Sequence, residues 1–415
     1  MPNVEIIAVG TELLLGQLVD TNTPFIARHL ADVGVDVYAT QAVGDNRARI
    51  GAAIATALSR SDGVVMTGGL GPTVDDLTKE AVCDALGVPC DRDAASVERM
   101  RAVFAKFDRP MRENNVKQAD LPRGSAVLVN ENGTAPGFLA EAPDGKFVAC
   151  LPGVPHEMRA MLVEQLLPKV RERLRATERI VTRVLRVARL GESEIDHRIG
   201  DLLRSGENPK VALLAHVGTC DVKIMAKTRD DAAAQALIAP LEREIRKRLA
   251  GHVYGSGTDT LASAVLDALR DRGWTLAAAE SCTGGRIAAA ITAVPGASAH
   301  FNGGVVAYAD AAKSAILDVR EETIASFGAV SEETAAAMAN GARRRFDADV
   351  AIATTGVAGP SGGSREKPVG LVWLAIEWPE GARATALTFP GDRETIQARA
   401  TQASLTLLWS ALHLG

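Results

Sequence analysis

The run Thr67-Gly68-Gly69-Leu70-Gly71-Pro72-Thr73-Val74-Asp75-Asp76 joins an apolar stretch to a helical pattern. Glycines there let the backbone turn successive N–H groups toward an anion, and Asp75 and Asp76 are suited to hold a divalent cation against phosphate oxygens. Other loops end apolar runs in the same region: Gly10-Thr11-Glu12, Asn132-Gly133-Thr134-Ala135-Pro136-Gly137 and Leu151-Pro152-Gly153-Val154-Pro155-His156-Glu157. Loops that follow strands of an open α/β sheet meet at one edge, where such folds bind ligands. The blander reading is a set of tight connections, with the aspartates capping a helix.

A different chemistry is suggested by Leu276-Ala277-Ala278-Ala279-Glu280-Ser281-Cys282-Thr283-Gly284-Gly285-Arg286, an apolar strand, a small-residue turn and a helix start. A nucleophile placed there stands at a sheet edge with helix amides nearby to hold an oxyanion, although the G-x-S-x-G pattern is absent. Ser281 equally suits a helix cap, and Cys282 competes as nucleophile if its thiolate is stabilised. Tyr308 and Lys313 follow the run Gly304–Tyr308, and a lysine desolvated at a sheet edge can act as base. A solvated lysine is its ordinary alternative. Neither His300 nor His413 has an evident carboxylate to orient it, so a Ser-His-Asp triad is not favoured.

The elements that must position these residues follow from hydrophobic periodicity. Val4–Val9, Val35–Ala42 and Gly63–Thr67 read as strands, separated by helices that present Ile26, Leu30 and Val33, then Ile50, Ile54 and Leu58. Asn22-Thr23-Pro24 looks like the cap of the first helix. This βαβαβ pattern predicts a parallel sheet, continued by short strands near Val127–Val129, Gly137–Ala140 and Phe147–Leu151. Ile180–Ala188 and Asp221–Thr228 alternate as half-buried strands do, and the helix Asp231–Leu249 follows them. Gly255-Ser256-Gly257-Thr258 reads as a linker. A second alternating α/β region runs from there to the end. The expected fold class is therefore α/β, two α/β domains (1–170 and 258–415) flanking a small α+β domain (175–253).

With 415 residues, 47% apolar and 23% charged, the chain has the composition of an ordinary multidomain globular protein. A net charge of −5 argues against nucleic-acid and anionic-membrane binding. The arginines between Arg171 and Arg189 lack interleaved aromatics and read as a solvated basic face. Five scattered cysteines without a C-x-x-C pair encode neither a disulfide framework nor a zinc cage, which points to a reducing compartment. Without a signal-like or spanning segment, the expected location is the cytoplasm.

The motifs G-T-E-L-L-L-G-Q-x-x-D-T-N, T-G-G-L-G-P-T-x-D-D-x-T, N-G-T-A-P-G and L-P-G-V-P-x-E-M resemble, in order, the amino-terminal domain of the competence/damage-inducible CinA family. That domain is similar to the molybdenum-cofactor-biosynthesis fold. The resemblance implies metal-dependent hydrolysis of ADP-ribose to AMP and ribose 5-phosphate. Asp75 and Asp76 would then hold the metal, whose identity is open, and Thr11, Glu12, Gly68, Gly69, Gly133, Thr134 and Gly153 the substrate. Glu12 and Glu157 both remain candidates for the base. A-E-S-x-T-G-G, G-G-V-V-A-Y-x-x-x-x-K, A-T-T-G-V-A-G-P-S-G-G and K-P-V-G-x-V are similar to the family's carboxy-terminal domain, a nicotinamide-nucleotide amidase of the PncC type.

The implied second reaction converts nicotinamide mononucleotide and water to nicotinate mononucleotide and ammonia, without a metal. The family pattern fixes Ser281 and leaves position 282 free, so Ser281 is the expected nucleophile, Lys313 the base, and Tyr308 and Thr283 its catalytic neighbours. Gly284, Gly285, Gly356, Gly359 and Arg399 would bind substrate, with Arg399 on its phosphate. Ser361-Gly362-Gly363-Ser364 with Lys367 faintly resembles the Ser-Ser-Lys amidases, and is read as a loop coincidence. The small domain is expected to be KH-like and the protein a homodimer. Two alternatives remain open: a scaffold for competence or DNA-damage proteins, and an amino-terminal domain that binds a pterin.

Overall fold

A computed structural model describes residues 2–414, the side chain of Leu414 apart. The chain gathers into two compact units, one of residues up to Val181 with Ala226–Ala236, the other of Thr182–Met225 with Leu237 onward.

In the first unit the strands β1 (Asn3–Val9), β2 (Asp36–Val43) and β3 (Gly63–Thr67) alternate with α1 (Thr11–Leu14), α2 (Asn22–Asp32) and α3 (Arg47–Arg60). After α4 (Thr78–Leu86), β4 (Cys90–Arg92), α5 (Ala94–Lys106) and β5 (Asp120–Pro122) come β6 (Ala126–Leu128), β7 (Gly137–Glu141) and β8 (Phe147–Leu151). A helical stretch closes the unit as α6 (Pro155–Met161), a π turn and α7 (Leu167–Arg173), running through Pro168 where an end was expected. The sheet order is β2-β1-β3-β8-β7-β6. The expected parallel sheet is thus only partly parallel: β1, β2, β3 and β8 are, but β7 and β6 are hairpin-joined and antiparallel. A short connection cannot make the crossover that a parallel pair requires.

Alternation along the strands separates two cores. Ile6, Val65 and Ala149 face Ile26, Leu30 and Met158, while Ile7, Val64 and Met66 face Ile50, Ile54 and Val82. Burial on both faces explains why these strands read as continuous apolar runs. Thr21 occupies the cap position of α2 without a side-chain bond, and the carboxylate of Asp20 just before it accepts from the N–H groups of Asn22 and Thr23. Asn22, expected to cap, uses its amide instead to donate to Thr67 Oγ1 (3.1 Å) and to the Gly153 carbonyl (2.8 Å).

The cysteine expectation also needs correcting. Cys83 and Cys90 form a disulfide with Cα atoms 5.9 Å apart. The left-handed Gly87 ends α4 and turns the chain back, so residues seven apart become neighbours without a C-x-x-C spacing. Among the described residues no helix is long and apolar enough to cross a membrane.

The middle region is a four-stranded sheet, β10-β11-β9-β12, antiparallel in its β10–β11 and β9–β12 pairs and made of β9 (Arg179–Ala188), β10 (Lys210–His216), β11 (Thr219–Thr228) and β12 (Val253–Ser256), with α8 (Glu192–Arg204) and α9 (Asp231–Arg248). Half of the expected linker belongs to β12, which pairs with β9.

The carboxy-terminal region contains α10 (Leu261–Arg272), β13 (Leu276–Glu280), α11 (Arg286–Thr292), β14 (Phe301–Val306), α12 (Asp310–Leu317) and α13 (Glu321–Phe327). It continues with α14 (Glu332–Arg345), β15 (Val350–Gly356), β16 (Leu371–Trp378), β17 (Gly381–Thr388) and α15 (Arg393–Leu414). Its sheet, β14-β13-β15-β16-β17, is parallel across β14, β13 and β15 and antiparallel beyond. Tyr308 lies past the end of β14, two residues outside the strand expected to contain it.

Candidate functional site

In the first unit the loops after β1, β3 and β8 leave the same sheet edge, because these strands are parallel and in register: Ala8 pairs with Thr67, and Thr67 with Leu151. The Gly68 amide continues that pairing to Leu151 O (3.1 Å). Gly68 has φ 102°, and a Cβ there would stand 2.1 Å from the Val9 carbonyl, so only glycine lets the loops after β1 and β3 touch. Together with the Thr134 loop they enclose a cleft of about 590 Å³.

Glu12, Gly68, Gly69, Asp75, Asp76, Thr134 and Gly153 line this cleft, joined by Asp45, Gln118 and Glu157. Thr11 braces it, since its amide donates to the Asp45 carboxylate and its hydroxyl accepts from the Asp45 amide. Gly133 lies on Glu157: a Cβ would come within 2.5 Å of that carboxylate, which the Asn130 amide also holds at 2.6 Å.

The aspartates are organised by Thr73. Its hydroxyl bonds to both Asp75 and Asp76, and its amide donates to Asp76 at 2.8 Å. The hydroxyl's bond holds the Asp75 carboxyl below its ordinary pKa. Lys117 secures the loop by donating to the carbonyls of Thr73 and Asp76. From beneath, the fully buried Lys79 donates to Leu70 O (3.2 Å), and burial lowers its pKa.

This donor set suits a hard divalent cation. The nearby groups are carboxylate oxygens and the buried Gln118 Oε1, which has no hydrogen-bond partner. Among the described residues no three Asp, Glu, His or Cys side chains close around one point. A magnesium-like ion held by so few side chains would take its remaining ligands from water and substrate phosphate.

The second site stands at the end of β13. Ser281 continues the strand by donating its amide to Thr354 O (3.0 Å), and its hydroxyl makes no hydrogen bond among the described residues. Glu280 is almost fully buried and accepts from the amides of Gly285 (2.9 Å), Ile287 (3.1 Å) and Ala288 (2.8 Å). The Gly284 amide is engaged by Ser281 O. Of the amides near Thr283 and Gly284 expected to hold an oxyanion, that of Gly284 is thus already occupied, and Gly284 and Gly285 shape the turn, both with positive φ. The Thr283 N–H has no acceptor among the described residues, while its hydroxyl is fixed 2.7 Å from that of Thr354.

Ala307 docks its amide on Glu280 O, which brings the segment carrying Tyr308 alongside the Ser281 turn. Lys313, only 1% exposed, donates to Tyr308 O (3.2 Å) and Asp310 Oδ1 (3.1 Å). Burial pushes the Cys282 thiol up to about 12, which leaves it protonated at neutral pH and a poor nucleophile.

Residues 5–172 match a family described as a probable molybdopterin binding domain, residues 182–255 the damage-inducible protein CinA KH domain, and residues 258–412 the CinA C-terminal domain. A CinA-like protein of Parasynechococcus marenigrum is 46% identical over 94% of this chain and 93% of its own length. The chain belongs to the CinA family. A CinA-like protein of Gloeobacter violaceus is 44% identical over 98% of this chain and 96% of its own. The crystal structure of a competence damage-inducible protein A from Klebsiella pneumoniae shares 42% identity, covering 37% of this chain and 97% of that one, with a TM-score of 0.36.

In this CinA-family chain Arg399 lines a groove with Leu374 and Leu407. The arginine that reaches Tyr308 is Arg393, which donates to its hydroxyl (2.6 Å) and to Gly359 O (2.8 Å). Six residues separate the two on α15, more than one and a half turns, so they project differently. Gly356 sits against Leu371 O, where a Cβ would come within 2.6 Å. Gln397 reaches back to Cys282 O (2.8 Å). Lys367 donates to Phe327 O, a structural use. His300 and His413 bond to the carbonyls of Trp274 and Trp409.

Sequence reasoning missed Asp45, Gln118, Lys79, Lys117, Arg393 and Gln397. Glu280 was visible as the one carboxylate ending an all-apolar strand, and its cap role was not drawn from that.

Proposed function

We propose that this chain is a bifunctional pyridine-nucleotide hydrolase, acting on nicotinamide mononucleotide in its carboxy-terminal region and on ADP-ribose in its amino-terminal one. The carrying observation is the buried Lys313 amine, held by Tyr308 O on the segment beside the Ser281 turn, next to a cysteine whose thiol is pushed up.

Ser281 Oγ attacks the carboxamide carbon and Lys313 accepts its proton, passing it to the departing ammonia. The Thr283 amide faces the oxygen that gains charge. Water, deprotonated by the same amine, then cleaves the ester to nicotinate mononucleotide and restores Ser281. Arg393 and the loop from Gly356 to Gly363 are suited to the substrate's phosphate, in the role expected of Arg399.

In the amino-terminal cleft Asp75 and Asp76 would hold a divalent metal. Once bound, it would offset charge on the pyrophosphate oxygens. Thr73 and Lys117 keep the two carboxylates in place, the glycine loops admit the phosphates, and Glu12 and Glu157 line the cleft as candidate bases. A pterin ligand is the second reading, favoured by the family description of residues 5–172. We also propose a cytoplasmic, homodimeric protein.

The test uses the full chain. It should release ammonia and nicotinate mononucleotide, retain this in Cys282→Ala and lose it in Ser281→Ala and Lys313→Ala. With ADP-ribose, AMP should form only when a divalent metal is present. A folded chain that turns over neither substrate overturns the reading, and pterin binding without AMP formation favours the alternative.

A further inference from the structure

The groove that holds Arg399 shares no lining residue with the amino-terminal cleft or with the Ser281 turn, although its Leu374, Phe389 and Leu407 pack in one cluster with Cys282. Its floor is the face of the edge strand β17 that is turned toward α15. There Arg383, Thr385 and Leu387 alternate with outward residues, and Leu374 pairs with Thr385 on the neighbouring strand. Helix α15 covers β16, whose Val372, Leu374 and Ile376 are buried, but leaves Leu387 38% exposed on β17. The tip of the β10–β11 hairpin forms the far wall. It approaches so closely that a Cβ on Gly218 would stand 3.1 Å from the Gln402 side chain. The enclosed volume is about 950 Å³, within the range of small-molecule pockets.

Its chemistry is one-sided. Arg189, Arg383, Arg399 and His216 line it and no carboxylate does, in a chain of net charge −5. None of the three arginines has an ion-pair or hydrogen-bond partner among the described residues. The carboxylate bonded to His216, Asp221, is already paired with Arg186. Apolar Leu374, Leu387 and Phe389 make a floor, while Thr385, Thr406 and Ser410 add hydroxyls along it. Several unpaired guanidiniums call for more than one anionic group, and their forked donors match phosphate. An apolar floor with hydroxyls beside it suits a flat heterocycle and its sugar.

We propose that this groove is a nucleotide site separate from the two active sites, taking a nucleoside diphosphate with its phosphates on Arg383 and Arg399 and its base on the Leu387–Phe389 floor. The assignment rests on this groove alone and does not need either proposed activity.

Calorimetric titration of the full chain with ADP tests it, comparing wild type with Arg383→Glu, which reverses a rim charge, and Thr385→Trp, which fills the floor. Melting temperature and circular dichroism confirm that both variants are folded. The expected result is a saturable ADP-binding event that each variant weakens by about tenfold or more, and that weakens with added salt in the wild type. Identical titrations for all three proteins overturn the proposal, as does the absence of saturable binding in the wild type. A wild-type dimer that Arg383→Glu dissociates, without any ADP effect, reassigns this face to contact between copies and also overturns it.

Discussion

The amino-terminal cleft and the Ser281 turn sit at equivalent places, the edge of a sheet where parallel strands end, yet they distribute charge in opposite ways. Around the cleft, Glu12, Asp45, Asp75, Asp76 and Glu157 remain partly open to solvent, and the buried Gln118 Oε1 has no partner. At the Ser281 turn the ionisable groups have been drawn inside: Glu280 is spent on helix amides and Lys313 is covered. On the proposed reading, the first arrangement would take its cation and phosphates from outside. The second would carry both nucleophile and base, Ser281 and Lys313, within the chain.

The largest expected effect is on that self-contained side. Ser281→Ala should lower amidase turnover by roughly 10⁴-fold or more, because the covalent step has no substitute, while leaving AMP release from ADP-ribose unchanged. Ammonia release from nicotinamide mononucleotide and AMP release from ADP-ribose, measured on both proteins, decide it, and comparable ammonia release by Ser281→Ala would move the nucleophile elsewhere.

Next comes the support beneath it. Glu280→Ala strips the amides of Gly285, Ile287 and Ala288 of their acceptor in a buried place, at a cost of about 3–5 kcal/mol. Denaturant unfolding should show a destabilised carboxy-terminal region, and Glu280→Gln should recover part of the loss. If Glu280→Ala unfolds like the wild type, the carboxylate is not what shapes the turn.

These two residues also mark how far the sequence could be read. Strands β1, β3, β8, β13 and β15 are legible because burial on both faces leaves nothing but apolar residues, and the loops that follow them inherit their position. The antiparallel β17 is not legible in this way, because its exposed face and polar residues, Arg383 and Thr385 among them, carry no such run. Within the cleft the glycines and aspartates were visible as local motifs. Gln118 and Lys117 were not, since they arrive from a segment some forty residues beyond Asp75 and Asp76 (|i−j| of 41 from Lys117 to Asp76). The difference between Arg393 and Arg399 is one of helical phase, which a motif does not record.

On the open side the sharpest probe is Thr73→Val. It removes the hydroxyl shared by Asp75 and Asp76 while keeping the side chain's shape. The metal concentration for half-maximal AMP release should rise by about 10-fold or more, as happens when groups that orient metal ligands are lost. An unchanged metal titration would mean that these aspartates do not hold the ion. The amidase should not respond, which separates the two regions again.

The smallest effect concerns the buried charge beneath the cleft. Lys79 supports the glycine loop through the Leu70 carbonyl much as Glu280 supports the Ser281 turn through its amides, so each site rests on one buried ionisable group of opposite sign. Burial lowers the Lys79 pKa, Lys117 adds to this, and Glu80, Asp76 and Asp120 oppose it. A lysine lowered in this way is charged in both folded and unfolded chains below its folded value, where the penalty on the fold is constant. As pH climbs from that value toward the unfolded 10.5, the folded chain gives up its proton first and the penalty fades. The wild type should therefore gain stability relative to Lys79→Met across the alkaline range below 10.5. Denaturant midpoints measured at steps from neutral pH upward would show it as diverging curves. Parallel curves would mean that Lys79 keeps its proton in the fold, with the Leu70 carbonyl and its acidic neighbours compensating for burial, as the amides do for Glu280.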